Sequence, residues 1–254
     1  MAESQTAPRA RLMRAGDIDT LPMRDAGVRI AYGDDSLQFG ELRLPPGRGP
    51  FPVAIVVHGG CWYAPYANVR NAAPRAADHV RALVATYPLD TMRVLAIGHS
   101  AGAQIAAWLA TRARLEDRSA LYVRAPLTLH AVVALGGVMD LVEYQRRQLE
   151  TCGNPAIESV MGGLPSAVPE RYREVSPIER LPLGVPHVHI AGALDRIATR
   201  DVTIVFADSA RKRGDSAEVI TVPALGHHDV MSPRSEAGKA AVEAVVRLLR
   251  PAKP

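Results

Sequence analysis

The sequence predicts an α/β protein: a doubly wound, mostly parallel sheet preceded by an N-terminal antiparallel hairpin. Three observations carry this. Short apolar runs alternate with longer amphipathic stretches, the pattern of strands and helices taken in turn. Several runs end in glycine, at Gly98, Gly136-Gly137 and Gly192, where strands give way to turns. The chain has 254 residues, 48% hydrophobic and 22% charged, which is enough to bury a full core.

Taken in order, residues 1–26 are polar and read as an N-terminal arm, leaving 27–254 as a single domain. Val28–Tyr32 and Leu37–Leu44 alternate apolar and polar residues across the turn signal Gly33-Asp34-Asp35-Ser36, and form the hairpin. Pro52–Val57 is a continuous apolar run, as expected of a strand covered on both faces. Pro74–Thr86 carries Ala77, Val80, Leu83 and Val84 at helical spacing, with Pro74 near the start. Val94–Ile97 is a second buried strand, and Ala101–Arg114 is a helix rich in small residues. His130–Leu135, His187–Ala191 and Glu218–Val222 are further strands; Ala198–Lys212 and Glu236–Leu249 are helices. Residues 140–180 show no sustained period and read as an irregular cap or lid.

Composition excludes some functions. The net charge is +4, and the clusters Arg9/Arg11/Arg14, Arg146-Arg147 and Arg211-Lys212-Arg213 are scattered and lack interleaved aromatics. They read as solvated faces, so no nucleic-acid partner is expected. No run approaches the ~18 apolar residues of a membrane span, and the N-terminus has no apolar signal core. Cys61 and Cys152 make neither a CxxC nor a disulfide framework, which fits a reducing compartment while leaving one bridge open. The expectation is a cytoplasmic protein with no membrane partner.

Gly98-His99-Ser100-Ala101-Gly102 fits G-x-S-x-G between a strand and a helix. The chemistry requires small neighbours, because the turn that thrusts the serine hydroxyl out of the sheet leaves no room for side chains. The helix that follows favours negative charge at its start. A serine hydroxyl needs a base. Gly226-His227-His228-Asp229 lies between the last strand and the last helix, and His227 is preferred to His228. The bland alternative is a loop histidine held by Asp229. The orienting acid belongs at a strand end after the serine, so Asp195 is favoured over Asp140, and Asp201 reads as helical.

His58-Gly59-Gly60-Cys61-Trp62 follows the strand Pro52–Val57. Its glycines let backbone N–H groups face an acyl oxyanion. Gly60, Cys61 and Ala101 are the candidate donors, and Trp62 packs the loop or walls the substrate pocket. His187 and His189 share one strand face, but no third ligand accompanies them. No metal and no organic cofactor is expected.

HGGCW, GHSAG, GALD and GHHDVMSP, in that order, resemble the α/β-hydrolase superfamily over roughly residues 28–250. More narrowly they are similar to its HGGxW esterases, the group of feruloyl-esterase-like proteins and kynurenine formamidases. The resemblance implies hydrolysis of a small-molecule ester, with an aryl formamide as the alternative, through an acyl-enzyme on Ser100, His227 and Asp195. One departure is large. The family places a helix, a strand and a second helix between the oxyanion loop and the elbow strand, which needs about 40 residues. Ala67–Met92 offers 26. The sheet is therefore expected to be one strand short. Either the hairpin moves across to pair with Pro52–Val57, or a naked edge remains that can drive a homodimer. A loosened oxyanion loop would leave a non-catalytic, hydrolase-like protein as the rival reading.

Overall fold

The computed structural model describes residues 11–21, 27–62 and 72–251. Most of the predicted arm and residues 63–71, which open the shortened link before the elbow strand, lie outside the described residues.

The hairpin pairs β1 (Val28–Ala31) with β2 (Phe39–Leu42) as an isolated two-stranded sheet. The main sheet holds β3 (Phe51–Val57), β4 (Leu89–His99), β5 (Ala131–Leu135), β6 (His187–Gly192) and β7 (Ala217–Val222). They lie side by side in that order, and every pairing is parallel. Parallel neighbours require crossovers, and helices supply them: α1 (Ala72–Leu83) between β3 and β4, α2 (Ala101–Leu109) between β4 and β5, and α6 (Arg200–Lys212) between β6 and β7; α7 (Glu236–Leu249) follows the last strand.

One core lies beneath α1 and α2, where Ala103, Ala106 and Ala107 let α2 approach the sheet closely and Trp108 fills the remaining space. A second core on the opposite face packs Leu95, Val133, Val188 and Ile190 against Ala237, Ala241 and Ala244 of α7. Both faces of β4, β5 and β6 are thereby covered, which explains their continuous apolar runs.

Three expectations are corrected. Pro52–Val57 is not covered on both faces. β3 is an edge strand among the described residues, because the hairpin does not move across to it. Val53 and Ile55 pack on the first core, whereas Val56 on the opposite side is 77% exposed. The strand stayed apolar for one face only, and a parallel edge gives no sequence sign of which face is bare.

Residues 140–180 are not irregular. They hold α3 (Leu141–Cys152), α4 (Ala156–Met161) and α5 (Pro169–Val175). Asp140 caps α3 by accepting from the Val142 and Glu143 N–H groups, and Gln148 Oε1 accepts from Ile157 and Glu158 N–H. Two of these helices are shorter than two turns, and Gly162-Gly163 interrupts them. No helical period has room to show.

The one bridge that the sequence left open is made, and it bears on the compartment. Cys61 and Cys152 form a disulfide across 91 residues, joining the loop after β3 to the last turn of α3. The argument for a reducing compartment therefore loses its basis, since such bridges persist in oxidising surroundings. No helix among the described residues is long and apolar enough to cross a membrane.

Candidate active site

The C-terminal ends of β3 to β7 carry the candidate residues, and the strand register sets them level. Val57 pairs with Gly98, His99 with Leu135, Leu135 with Ile190, and Gly192 with Val222. Ser100 follows β4 directly. Its backbone has φ 53° and ψ −120°, outside the ordinary regions, and α2 begins at the next residue. Two glycines permit this turn. A Cβ on Gly98 would lie 2.2 Å from the Gly102 carbonyl oxygen, and one on Gly102 would lie 2.2 Å from that of Val57. Ser100 N–H donates to the Leu135 carbonyl at 2.9 Å, which locks the elbow to β5.

Asp195 sits in the turn after β6. Its Oδ1 accepts from the N–H groups of Ile197 and Ala198, and its Oδ2 faces His227 Nδ1 at 2.8 Å. Both residues are buried. A carboxylate only accepts, so Nδ1 carries the proton and Nε2 keeps its lone pair free to act as base. Gly136, at the end of β5, lies beside this pair. A Cβ there would meet Asp195 Oδ2 at 3.1 Å and His227 Nδ1 at 3.2 Å. Ser100, held on Leu135, and the Asp195–His227 pair, packed on Gly136, thus flank one strand end.

The alternatives to this assignment do other things. Asp140 is occupied as the cap of α3. Asp229 does not hold either histidine: it accepts from Gly226 N–H at 2.9 Å and from Met13 N–H at 3.1 Å, tying the 226–229 loop to the N-terminal segment. Asp201 lies in the first turn of α6 and is exposed. His228 packs edge-on against His227, and its Nδ1 is buried with no hydrogen bond. Burial, together with the neighbouring His227, lowers its pKa. His187 and His189 contact one another at 2.7 Å beneath Phe206, and Asp215 lies 3.5 Å from His187. Among the described residues no group of three or more His, Cys, Asp or Glu side chains is placed to hold a metal.

The candidate oxyanion loop lies against the elbow. A Cβ on Gly59 would come within 2.7 Å of His99 Nδ1 and 3.2 Å of Ser100 Cβ. Gly60, Cys61 and Trp62 all have positive φ, at 122°, 52° and 54°. Ala101 contributes the first amide of α2, where the helix dipole adds its positive end.

Two participants escaped the sequence reading. His99 fills the variable place of G-x-S-x-G, and its Nε2–H donates to the His227 carbonyl at 2.9 Å. Burial, then His227, lowers its pKa to about 4, so the ring is neutral. Gln104 lies one turn after Ser100 and is 2% exposed. Its Oε1 accepts from Trp62 Nε1–H at 3.0 Å and its Nε2–H donates to the Val175 carbonyl at 2.7 Å. A glutamine on the small, apolar face of α2 was the available signal, since such a group needs buried partners. Beside it lies a cavity of about 10 Å³, room for about one water, lined by Trp62, Leu141, Ile157, Met161 and Val175.

The model of the BD-FAE family matches residues 64–203, more than half of the chain. No curated protein matches it. Among solved structures, a thermophilic esterase of the planctomycete Thermogutta terrifontis, propionate-bound, superposes with a TM-score of 0.68 at 17% identity, covering 88% of this chain and 93% of that one. An acetyl ester-xyloside bifunctional hydrolase of Caldicellulosiruptor lactoaceticus gives 0.67 at 14% identity, covering 87% and 95%. A bifunctional GH43-CE protein of Bacteroides eggerthii gives 0.69 at 20% identity, covering 86% of this chain; the chain spans 37% of that protein. At these identities the likeness is one of fold.

Proposed function

The chain belongs to the BD-FAE family, esterases of the α/β-hydrolase fold, and on that premise we propose that it is a serine esterase cleaving small carboxylic esters through an acyl-enzyme. The observation that supports this most is the 2.8 Å contact of His227 Nδ1 with Asp195 Oδ2, at the same strand ends as the strained Ser100.

In this reading His227 Nε2 takes the Ser100 hydroxyl proton as Oγ attacks the ester carbonyl. The carbonyl oxygen becomes an oxyanion facing the backbone N–H groups of Gly60, Cys61 and Ala101. Asp195 holds the tautomer and stabilises the imidazolium. The tetrahedral intermediate collapses, His227 returns the proton to the leaving alkoxide, and the acyl group stays on Oγ. Water, deprotonated by His227, then repeats the attack and releases the carboxylic acid. Trp62 packs the loop or walls the acyl side.

Hydrolysis of p-nitrophenyl acetate by wild type and Ser100→Ala tests the reading, with fluorophosphonate labelling in parallel. Wild type is expected to turn over and to label at Ser100, and the variant to do neither. Equal rates above background in both proteins would overturn it.

A further inference from the structure

The loop 60–62 has three successive residues at positive φ, two of them not glycine. Such a conformation persists only where its surroundings impose it. Two tethers do so. Cys61 is bonded to Cys152 at the end of α3. Trp62 donates its indole N–H to Gln104, whose amide is fixed in turn by the Val175 carbonyl at the end of α5. The orientation of that amide is unambiguous. The indole N–H only donates and the carbonyl only accepts, so Oε1 must face Trp62 and Nε2 must face Val175. Gln104 lies in the first turn of α2, which Ser100 caps, and its backbone N–H donates to the Ser100 carbonyl at 3.2 Å, so nucleophile and loop anchor move as one body.

We propose that Gln104 and the Cys61–Cys152 bridge are positioning elements of the esterase, which hold the 60–62 loop so that its N–H groups face the oxyanion, and that activity therefore depends on the thiol–disulfide state of the bridge. This rests on the serine-esterase reading. Reduction by a dithiol breaks the S–S bond, leaves thiols on Cys61 and Cys152, and closes the dithiol into its own cyclic disulfide. One tether is then lost and the loop relaxes away from positive φ. The nucleophile, base and acid are untouched, so the loss falls on the transition state more than on substrate binding.

The test compares the oxidised full chain, the same protein reduced with dithiothreitol, Cys152→Ser, Gln104→Leu, Gln104→Glu and Trp62→Phe. Rates of p-nitrophenyl acetate hydrolysis are normalised to fluorophosphonate-reactive Ser100. A trifluoromethyl ketone, which binds serine as a tetrahedral oxyanion adduct, supplies the second readout. Reduction, Cys152→Ser and Gln104→Leu are each expected to lower kcat by ~10- to 100-fold with KM within ~3-fold, since loop errors of ~1 Å have that cost. The ketone Ki should rise by the same factor as kcat/KM falls. Reoxidation should restore wild type, and Cys152→Ser should ignore dithiothreitol. Gln104→Glu keeps the acceptor for Trp62 but sets a carboxylate against the Val175 carbonyl, so it should also lose activity. Trp62→Phe removes the N–H while keeping an aromatic ring, which covers the case in which the Gln104 variants do not fold. Unchanged kcat in reduced protein and in folded variants overturns the proposal, as does a fall in kcat with an unchanged Ki. A wild type that neither turns over nor labels overturns the esterase reading and this one with it.

Discussion

His99 holds His227. The residue immediately before the nucleophile donates its Nε2–H to the His227 backbone carbonyl at 2.9 Å, with the two rings 4.6 Å apart. The proposed base is thus gripped at its side chain by Asp195 and at its backbone by the neighbour of Ser100. His99→Ala is expected to lower kcat/KM for p-nitrophenyl acetate by ~10- to 100-fold through misplacement of His227. His99→Gln, whose amide N–H can reach the same carbonyl, should recover part of it. Wild-type kinetics in His99→Ala would show that the contact is idle.

The two candidate acids separate cleanly. Asp195→Asn removes the carboxylate that fixes the His227 tautomer and should reduce kcat by ~10⁴-fold, with the fold intact. Asp140→Ala instead removes a helix cap and should cost about 1 kcal/mol of stability with kcat little changed. Steady-state kinetics and urea unfolding on both variants decide it, and the opposite outcome would exchange their roles.

Gly136 has φ 49°, and a Cβ there would press on Asp195 Oδ2 at 3.1 Å and His227 Nδ1 at 3.2 Å. Gly136→Ala combines a left-handed backbone penalty of about 1–2 kcal/mol with a push on the acid–base pair. The expectation is a lower Tm together with at least a ~10-fold fall in kcat. A variant that loses stability but keeps full kcat would show that the pair yields to the methyl group without consequence.

Acid should destabilise the protein through its buried histidines. His99 is held at about 4, and burial also lowers His187, His189 and His228 below the ordinary value of 6.5. Between pH 6.5 and 4 the unfolded chain takes up protons that the folded protein refuses, so stability falls as pH drops through that window. His99 alone contributes about 3 kcal/mol at most. Urea midpoints at pH 7.5, 5.5 and 4.5 should decline in that order, and His99→Gln should flatten the decline. A midpoint independent of pH would contradict the burial argument.

Much was legible in the chain. The strand β5 and the Val94–Ile97 part of β4 read directly, because burial on both faces writes a continuous apolar run, and α7 matches its predicted bounds because one amphipathic face spans fourteen residues. The elbow was readable because only small residues fit its backbone, and the order of Ser100, Asp195 and His227 followed from where the strands end. The cap was not, since α4 and α5 are too short to show a period and are fixed by side chains such as Gln148.

By itself, then, the sequence determined the parallel sheet and the residues standing at its C-terminal ends, because those depend on local backbone limits and on repeating apolar patterns. Tertiary structure alone decided that β3 is the edge strand among the described residues, that Asp140 is a cap while Asp195 meets His227, and that Cys61 finds Cys152 91 residues away. Each of these is a contact between segments distant in the chain. Only their packing together selects one partner among several of equal local merit.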